Sequence, residues 1–262
     1  MENTYWQKQT NTALYPDILW SRPESKLTSG KLLIIGGNKF GFAAPATAFS
    51  EATKAGIGTI RILMPEGLHK LVGGMPDAHF APQNPSGSFS KQSLDSMLVH
   101  ASWSDAVLIA GELGRNSETA VTLENFTKKY VGPIIITRDA ADYFITTPKD
   151  ILLRTNTCLA ISYEQLQKIG INSKNEKALT FGMQATAVVE WLHEFTKTIN
   201  SIIITLHDEM LFVAYKGNVC TQKYTNSDKV WRVPVASRAS VFWVQNLTKP
   251  LESIVTSFLA PN

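Results

Sequence analysis

The chain has 262 residues, 44% of them hydrophobic, with 25 Lys and Arg against 22 Asp and Glu. That length buries one large core and no Pro/Ser-rich linker interrupts it, so the sequence predicts one domain over residues 1–262. A net charge of +3 spread along the chain argues against nucleic acid or an anionic membrane as partner and leaves a small molecule or a nucleotide.

The two cysteines, Cys158 and Cys220, have no Cys-x-x-Cys spacing and no His cluster beside them. A disulfide framework and structural zinc are therefore not expected, and both are read as reduced, buried thiols. The opening MENTYWQKQT lacks a basic stretch followed by an apolar one. No apolar run approaches the roughly 20 residues of a membrane helix, so the expected compartment is the cytoplasm.

In chain order, the aromatics Tyr5, Trp6 and Trp20 are expected on the surface, covering a subunit face. An apolar run predicts a strand over 32–35, and alanines at helical spacing predict a helix over 44–55. Between them lies IIGGNKFGFAAP, a glycine-rich strand-to-helix junction. Gly36, Gly37 and Gly41 are read there as backbone that a ligand approaches closely, or else as a sharp turn. Ala44 and Pro45 at the helix start are expected to leave amides free for an anion.

Further strands are predicted over 59–63, 106–110, 134–137, 201–206 and 211–214, several of them apolar on consecutive residues as in strands covered on both faces. Helices are predicted over 90–101, 117–129 and 176–198, and residues 76–90 are read as a surface loop. The alternation predicts a mostly parallel sheet between helical layers. In the last third, His207-Asp-Glu and Lys216-Gly-Asn break three strands into an antiparallel meander at one sheet edge. A final helix is predicted over 237–258, interrupted near Pro250.

Leu113, Gly114 and Asn116 follow a central strand, at the end where open α/β sheets bind ligands. Asp139 ends the next strand and is read either as orienting a substrate hydroxyl or metal, or as capping a short segment over 140–144. Histidines 69, 79, 100, 193 and 207 are scattered without metal spacing, and no metal ligand is assigned.

Taken together, Arg22-Pro-Glu-Ser-Lys26, the strand and glycines over 30–37, Ala43-Ala44-Pro45, the stretch from Lys54 to Thr59, Ala110-Gly-Glu-Leu-Gly-Arg115 and Asp139-Ala140 resemble the ADP/ATP-dependent NAD(P)H-hydrate dehydratase family. The resemblance runs over residues 20–145. It implies a ribokinase-like three-layer α/β/α fold, ADP or ATP with Mg²⁺ as phosphoryl donor, hydrated NAD(P)H as substrate, and a homo-oligomer. It also implies substrate contacts at Gly36, Gly37, Ala43, Ala44, Pro45, Gly114 and Asp139.

Beyond residue 150 the likeness thins. The family's Thr-Pro-His-Pro-Gly-Glu segment corresponds to NTCLAISYE at 156–164, and its nucleotide-side Lys-Gly or Lys-Ser to His207-Asp208. Its Gly-x-Gly-Asp motif, which opens the last long helix, aligns with Ser237-Arg238-Ala239-Ser240, putting a serine at the position of the catalytic aspartate. A hydroxyl does not replace a carboxylate base, so phosphoryl transfer is expected to be impaired, with Ser240 non-functional and Ser237, Arg238 and Ala239 at the nucleotide. The alternatives are a non-catalytic nucleotide-binding or scaffold protein, and a small-molecule kinase.

Overall fold

The computed structural model describes residues 4–72, 74–75, 77–224 and 231–259. The elements in order are β1 (Trp6–Gln9), α1 (Pro16–Trp20), β2 (Lys31–Gly36), α2 (Ala43–Lys54), β3 (Thr59–Pro65), α3 (His69–Val72), β4 (Ala78–Ala81), α4 (Ser93–Trp103) and β5 (Ala106–Gly111). They continue with α5 (Ser117–Lys129), β6 (Ile134–Thr137), α6 (Asp139–Ile145), α7 (Lys149–Leu153), β7 (Thr157–Ala160), α8 (Tyr163–Asn172) and α9 (Ala185–Lys197). The last are β8 (Ile202–His207), β9 (Met210–Tyr215), β10 (Asn218–Lys223), α10 (Arg232–Gln245) and α11 (Pro250–Ser257).

The ten strands form one sheet in the order β1-β10-β9-β8-β7-β6-β5-β2-β3-β4. From β8 to β4 every pairing is parallel, whereas β9 runs antiparallel to both β8 and β10. Successive strand residues feed opposite faces. Leu33, Ile35, Val107, Ile109, Ile134 and Ile136 enter one core with α4, α5, α8 and α9, while Leu32, Ile34, Leu108, Ala110 and Ile135 enter the other with α2, α10 and α11. Two cores on one sheet explain why these strands are apolar at consecutive positions, as the sequence predicts.

The meander is present and its turns are tight. Asp208 and Glu209 (φ 45° and 56°) turn β8 into β9, and Lys216 and Gly217 (φ 48° and 79°) turn β9 into β10. Two consecutive positive φ values match the right-handed twist of the flanking strands.

Several boundaries differ from the sequence reading. Residues 77–90 are not a surface loop: β4 forms the sheet edge, Gln83 bridges Phe89, and Phe89, Asn84 and Ser88 are buried. The Asn84 side chain holds this stretch by accepting from the Ser86 and Ser88 amides at 3.0 and 3.1 Å and donating to Phe89 O at 3.1 Å. Pro76 lies outside the described residues. The helix expected over 176–198 begins only at Ala185, and β7 and α8 occupy a region read only for its motif. Tyr5 is half-buried and stacks on His193 with ring centroids 3.6 Å apart, Trp6 is half-buried against the core, and Trp20 alone of the three is fully exposed.

The last helix carries the largest correction. It opens at Arg232, not at Ser237, and closes at Gln245; α11 is a separate helix starting on Pro250. Pro234 sits in the first turn of α10, where the missing N–H has no intrahelical partner to lose.

Candidate functional site

The strand order reverses between β2 and β5. From β2 the chain moves outward to β3 and β4, then returns to β5 and proceeds the other way through β6, β7 and β8. A crevice at the carboxyl ends of such neighbours is the usual ligand position in open α/β sheets. Its walls are the turns after β2 (residues 37–42), β5 (112–116), β6 (Arg138) and β7 (161–162).

The glycines here answer first to the protein's own atoms. A Cβ on Gly36 would stand 2.8 Å from the carbonyl oxygen of Gly111, and one on Gly111 would stand 2.5 Å from Asp139 Oδ1. Gly37, at φ 85°, donates its N–H to that same Gly111 carbonyl at 3.0 Å. Close approach of the β2 and β5 ends therefore demands glycine at 36, and the crowding by Asp139 and Arg138 together with φ 99° demands it at 111.

Asp139 stands at the first turn of α6 but does not cap it. Its two carboxylate oxygens accept the N–H groups of Glu112 at 2.7 Å and Leu113 at 2.9 Å, tying the turn after β5 to the end of β6. The capping role read from sequence does not describe it: Arg138 holds the N-cap position, and both Asp139 oxygens accept backbone amides of the neighbouring turn. Asn116 is likewise committed: its side chain accepts from the Glu118 and Thr119 amides and caps α5.

Glu112 was not singled out by sequence. It adopts φ 59°, and its Oε2 accepts the Ala44 N–H at 2.8 Å, at the start of α2, a helix with no side-chain cap of its own. Its Oε1 lies 3.6 Å from Arg138 Nη1. The expectation of a free amide at Ala44 is thus corrected: a carboxylate of the protein occupies it, as the positive end of the helix dipole favours. Ala44 and Pro45 are buried, and Ala43 is exposed at the crevice rim.

A polar network extends from there. Gln165 donates to Arg138 O at 2.8 Å and Asp142 Oδ1 at 2.6 Å, while its Oε1 accepts from the Ser162 amide at 3.0 Å and Arg232 Nη1 at 3.1 Å. Burial, then the nearby Arg138 charge, makes the Arg232 guanidinium harder to protonate than usual, while Asp142 and Asp139 oppose this. The first turn of α10 thereby reaches the crevice through an arginine. Beside the network lies a cavity of about 490 Å³ whose lining includes Gly114, Asn116, Asp139, Asp142, Tyr143 and Lys168. The Tyr143 hydroxyl donates to Gly114 O, and burial raises its pKa.

Ser237, Arg238, Ala239 and Ser240 lie within α10, past its first turn, and all four are buried. Ser237 Oγ donates back to Val233 O and Ser240 Oγ to Ala236 O, each at 2.7 Å. A segment inside a helix has its amides engaged in the helix, so it does not form the anion hole expected of a helix start, and the buried Ser240 hydroxyl is turned to its own backbone. The segment aligned with the family motif lies past the opening of the helix at Arg232. Small residues suit the position for another reason: α10 packs on α2, whose buried positions are Ala44, Pro45, Ala48 and Ala52. His207 is nearly buried, stacked on Tyr163 with centroids 4.0 Å apart, and its Nε2 is 3.2 Å from Met183 O; Asp208 is exposed in the turn. The structure thus brings Gly36, Gly37, Ala43, Ala44, Pro45, Gly114 and Asp139 together, and leaves the serine-containing segment inside the helical layer.

No family model matches the chain. Among solved structures, a ribokinase-like superfamily protein from Enterococcus faecalis superposes with a TM-score of 0.73 over 99% of this chain and 88% of that one, at 16% identity. The chain has the ribokinase-like fold. An ADP/ATP-dependent NAD(P)H-hydrate dehydratase from Bacillus subtilis, co-crystallized with ATP/Mg²⁺, superposes with a TM-score of 0.61 over 90% of this chain and 79% of that one, at 13% identity. In sequence the chain is 33% identical over 113 residues to the bifunctional NAD(P)H-hydrate repair enzyme Nnr of Methanocaldococcus jannaschii, covering 43% of this chain and 22% of that one. It is 29% identical over 123 residues to the enzyme of the same name from Methanothermobacter thermautotrophicus, covering 45% and 24%. The chain spans less than a quarter of the length of the curated relatives it matches.

Within this ribokinase-like frame, Glu112, Gln165 and Arg232 are the crevice residues that sequence reading missed. Gln165 had a signal: Ser162-x-x-Gln165 is a capping box, and both of its bonds are present at the start of α8. Arg232 had one in Pro234, a mark of a helical first turn. Glu112 had none, since a glutamate beside glycines reads as surface.

Proposed function

We propose that the protein acts on hydrated reduced nicotinamide dinucleotides, as an ADP- or ATP-dependent NAD(P)H-hydrate dehydratase-like protein, with the ligand in the crevice over β2, β5, β6 and β7. The observation that carries this reading is the partial sequence match to NAD(P)H-hydrate repair enzymes in a chain whose glycine turns meet at the switch point. In this reading the turns after β2 and β5 face the dinucleotide, and the first turn of α10 with Arg232 faces the nucleotide phosphates. Mg²⁺ would supply charge neutralisation on those phosphates. Among the described residues no three His, Cys, Asp or Glu side chains converge on one point, so the ion would arrive on the nucleotide, with few protein ligands. Self-association belongs to the same reading, with Trp20 (87% exposed) as a surface aromatic at the contact.

The decisive assay mixes the full chain with hydrated NADPH and either ADP or ATP with Mg²⁺, and follows recovery of the reduced nicotinamide absorbance. Recovery above the spontaneous rate supports the reading; none at high protein concentration refutes turnover.

A second reading, a nucleotide-binding protein without turnover, is favoured by one specific observation. Glu112, Asp139 and Asp142, the crevice carboxylates described above, each already accept bonds from the protein's own donors. A general base needs a lone pair directed at the substrate hydroxyl. Thermal shift read beside the hydrate assay separates the two: ligand at 100 times its dissociation constant adds about 2.7 kcal/mol of stability whether or not it reacts, so a shift without recovered absorbance marks binding without turnover.

A further inference from the structure

The carboxylate of Glu112 stands where a ligand anion would compete with it. Two elements converge on it: the start of α2 through the Ala44 amide at 2.8 Å, and the end of β6 through Arg138 Nη1 at 3.6 Å. Its own amide is held by Asp139, so the backbone is fixed and only the side chain is free to move. The residue carries φ 59° in a turn whose resemblance to Gly-Pro-Gly-Leu-Gly puts glycine at this place. Gly41 faces the same group, since a Cβ there would lie 3.9 Å from the Glu112 carboxylate. The side chain is 20% exposed and Arg138 30% exposed, so both open onto the crevice.

We propose that Glu112 is a specificity-determining residue, a built-in competitor that closes the α2 end of the crevice to phosphate until a pyrophosphate-bearing ligand displaces it from Arg138. One amide hydrogen does not serve two anions, and a carboxylate beside the guanidinium repels a second negative charge there. When Glu112 turns away, the planar Arg138 fork is released to pair with phosphate oxygens, a geometry that guanidinium suits better than ammonium. A neutral group, such as a ligand hydroxyl, meets no such barrier and is accepted by the carboxylate. The inference rests on the proposed reading only for the kind of ligand, since the contact itself belongs to the protein alone.

The test compares the full chain with the variants Glu112→Gln and Glu112→Gly, titrating inorganic pyrophosphate and, separately, ADP, by calorimetry and thermal shift. Glycine suits the positive φ and glutamine keeps the shape, so at least one variant is expected to fold. Losing a charge-assisted competitor is expected to tighten pyrophosphate binding by about ten- to a hundredfold in both variants. Adding Arg138→Gln to Glu112→Gly is expected to abolish the gain. Equal affinities in the parent and both variants, no measurable binding by any of them, or a gain that survives the loss of Arg138 would overturn the proposal. Pyrophosphate carries no nicotinamide, so failure of the hydrate assay alongside a gain here defeats the dehydratase reading and leaves the role of Glu112 standing.

Discussion

The carboxylate of Asp139 accepts the amide of Glu112 at 2.7 Å, and its second oxygen takes the next amide along. One side chain thus sets the path of the turn after β5 and, through Glu112, the entrance to α2. Asp139→Ala leaves two backbone donors without their acceptor, each a loss of about 1 to 3 kcal/mol if water does not replace it. Urea unfolding is expected to show a destabilisation of about 2 to 4 kcal/mol, with Asp139→Asn milder because an amide oxygen still accepts one bond.

Ser240→Asp separates the aligned motif from the structure. Placed in the buried interior of α10, a carboxylate is taken out of water at a position that is 0% exposed, so the variant is expected to lose more than about 3 kcal/mol or fail to fold. Ser240→Ala removes only a bond to the preceding turn and is expected to change stability by less than about 1 kcal/mol. Unchanged nucleotide binding by Ser240→Ala would agree with its position; a lost thermal shift would place it in the site after all.

Alkali is expected to weaken the fold through Cys220, whose thiol is pushed up to about 11, first by burial. The folded value lies above the ordinary one, so this contribution is intact below about pH 9, where the unfolded thiol ionises, and is lost as pH rises to 11. Cys220 should contribute about 2 to 3 kcal/mol to the loss across that window, beside a contribution of the same sign from the buried Cys158, and Cys220→Ala should make the slope shallower without abolishing it. A thiol reagent at pH 8 is expected to leave the native protein unlabelled at both cysteines, which are buried.

Acid acts through a different pair. His79 on β4 and His100 on α4 have ring centroids 4.5 Å apart, and burial, followed by Arg61 for His79 and by His79 for His100, lowers both values below the usual histidine range. A depressed folded value for a base means that stability is complete above about pH 6.5 and falls as pH drops through the folded values. His100→Phe is expected to reduce the acid loss measured by thermal melts between pH 7 and 5, whereas an unaltered profile would show that the pair does not report on folding.

Much of this fold was legible because strands covered on both faces advertise themselves as unbroken apolar runs, as 32–35 and 134–137 do. The crevice was legible through its glycines, though for a reason internal to the protein: Gly36 makes room for the Gly111 carbonyl, and Gly111 for Asp139 and Arg138. Short elements hid. Thr157–Ala160 is four residues with no period, and the helix after it had only its capping box to declare it. The start of α10 at Arg232 lies ahead of the motif position at Ser237, and Pro234 in its first turn is the local signal for it. Contacts such as Glu112 with Ala44, 68 positions apart, have no local signature, because they exist only once two strands lie side by side.

The pairing of β1 with β10 joins Trp6 to Val219 and Gln9 to Gln222, sealed by the Trp6 indole on Thr221 at 2.9 Å. During synthesis this segment leaves the ribosome ahead of its partner and waits for more than two hundred further residues before that partner exists. Docking of β1 must then be among the closing acts of assembly, and its unpaired edge is the surface a chaperone or a second nascent chain would meet first.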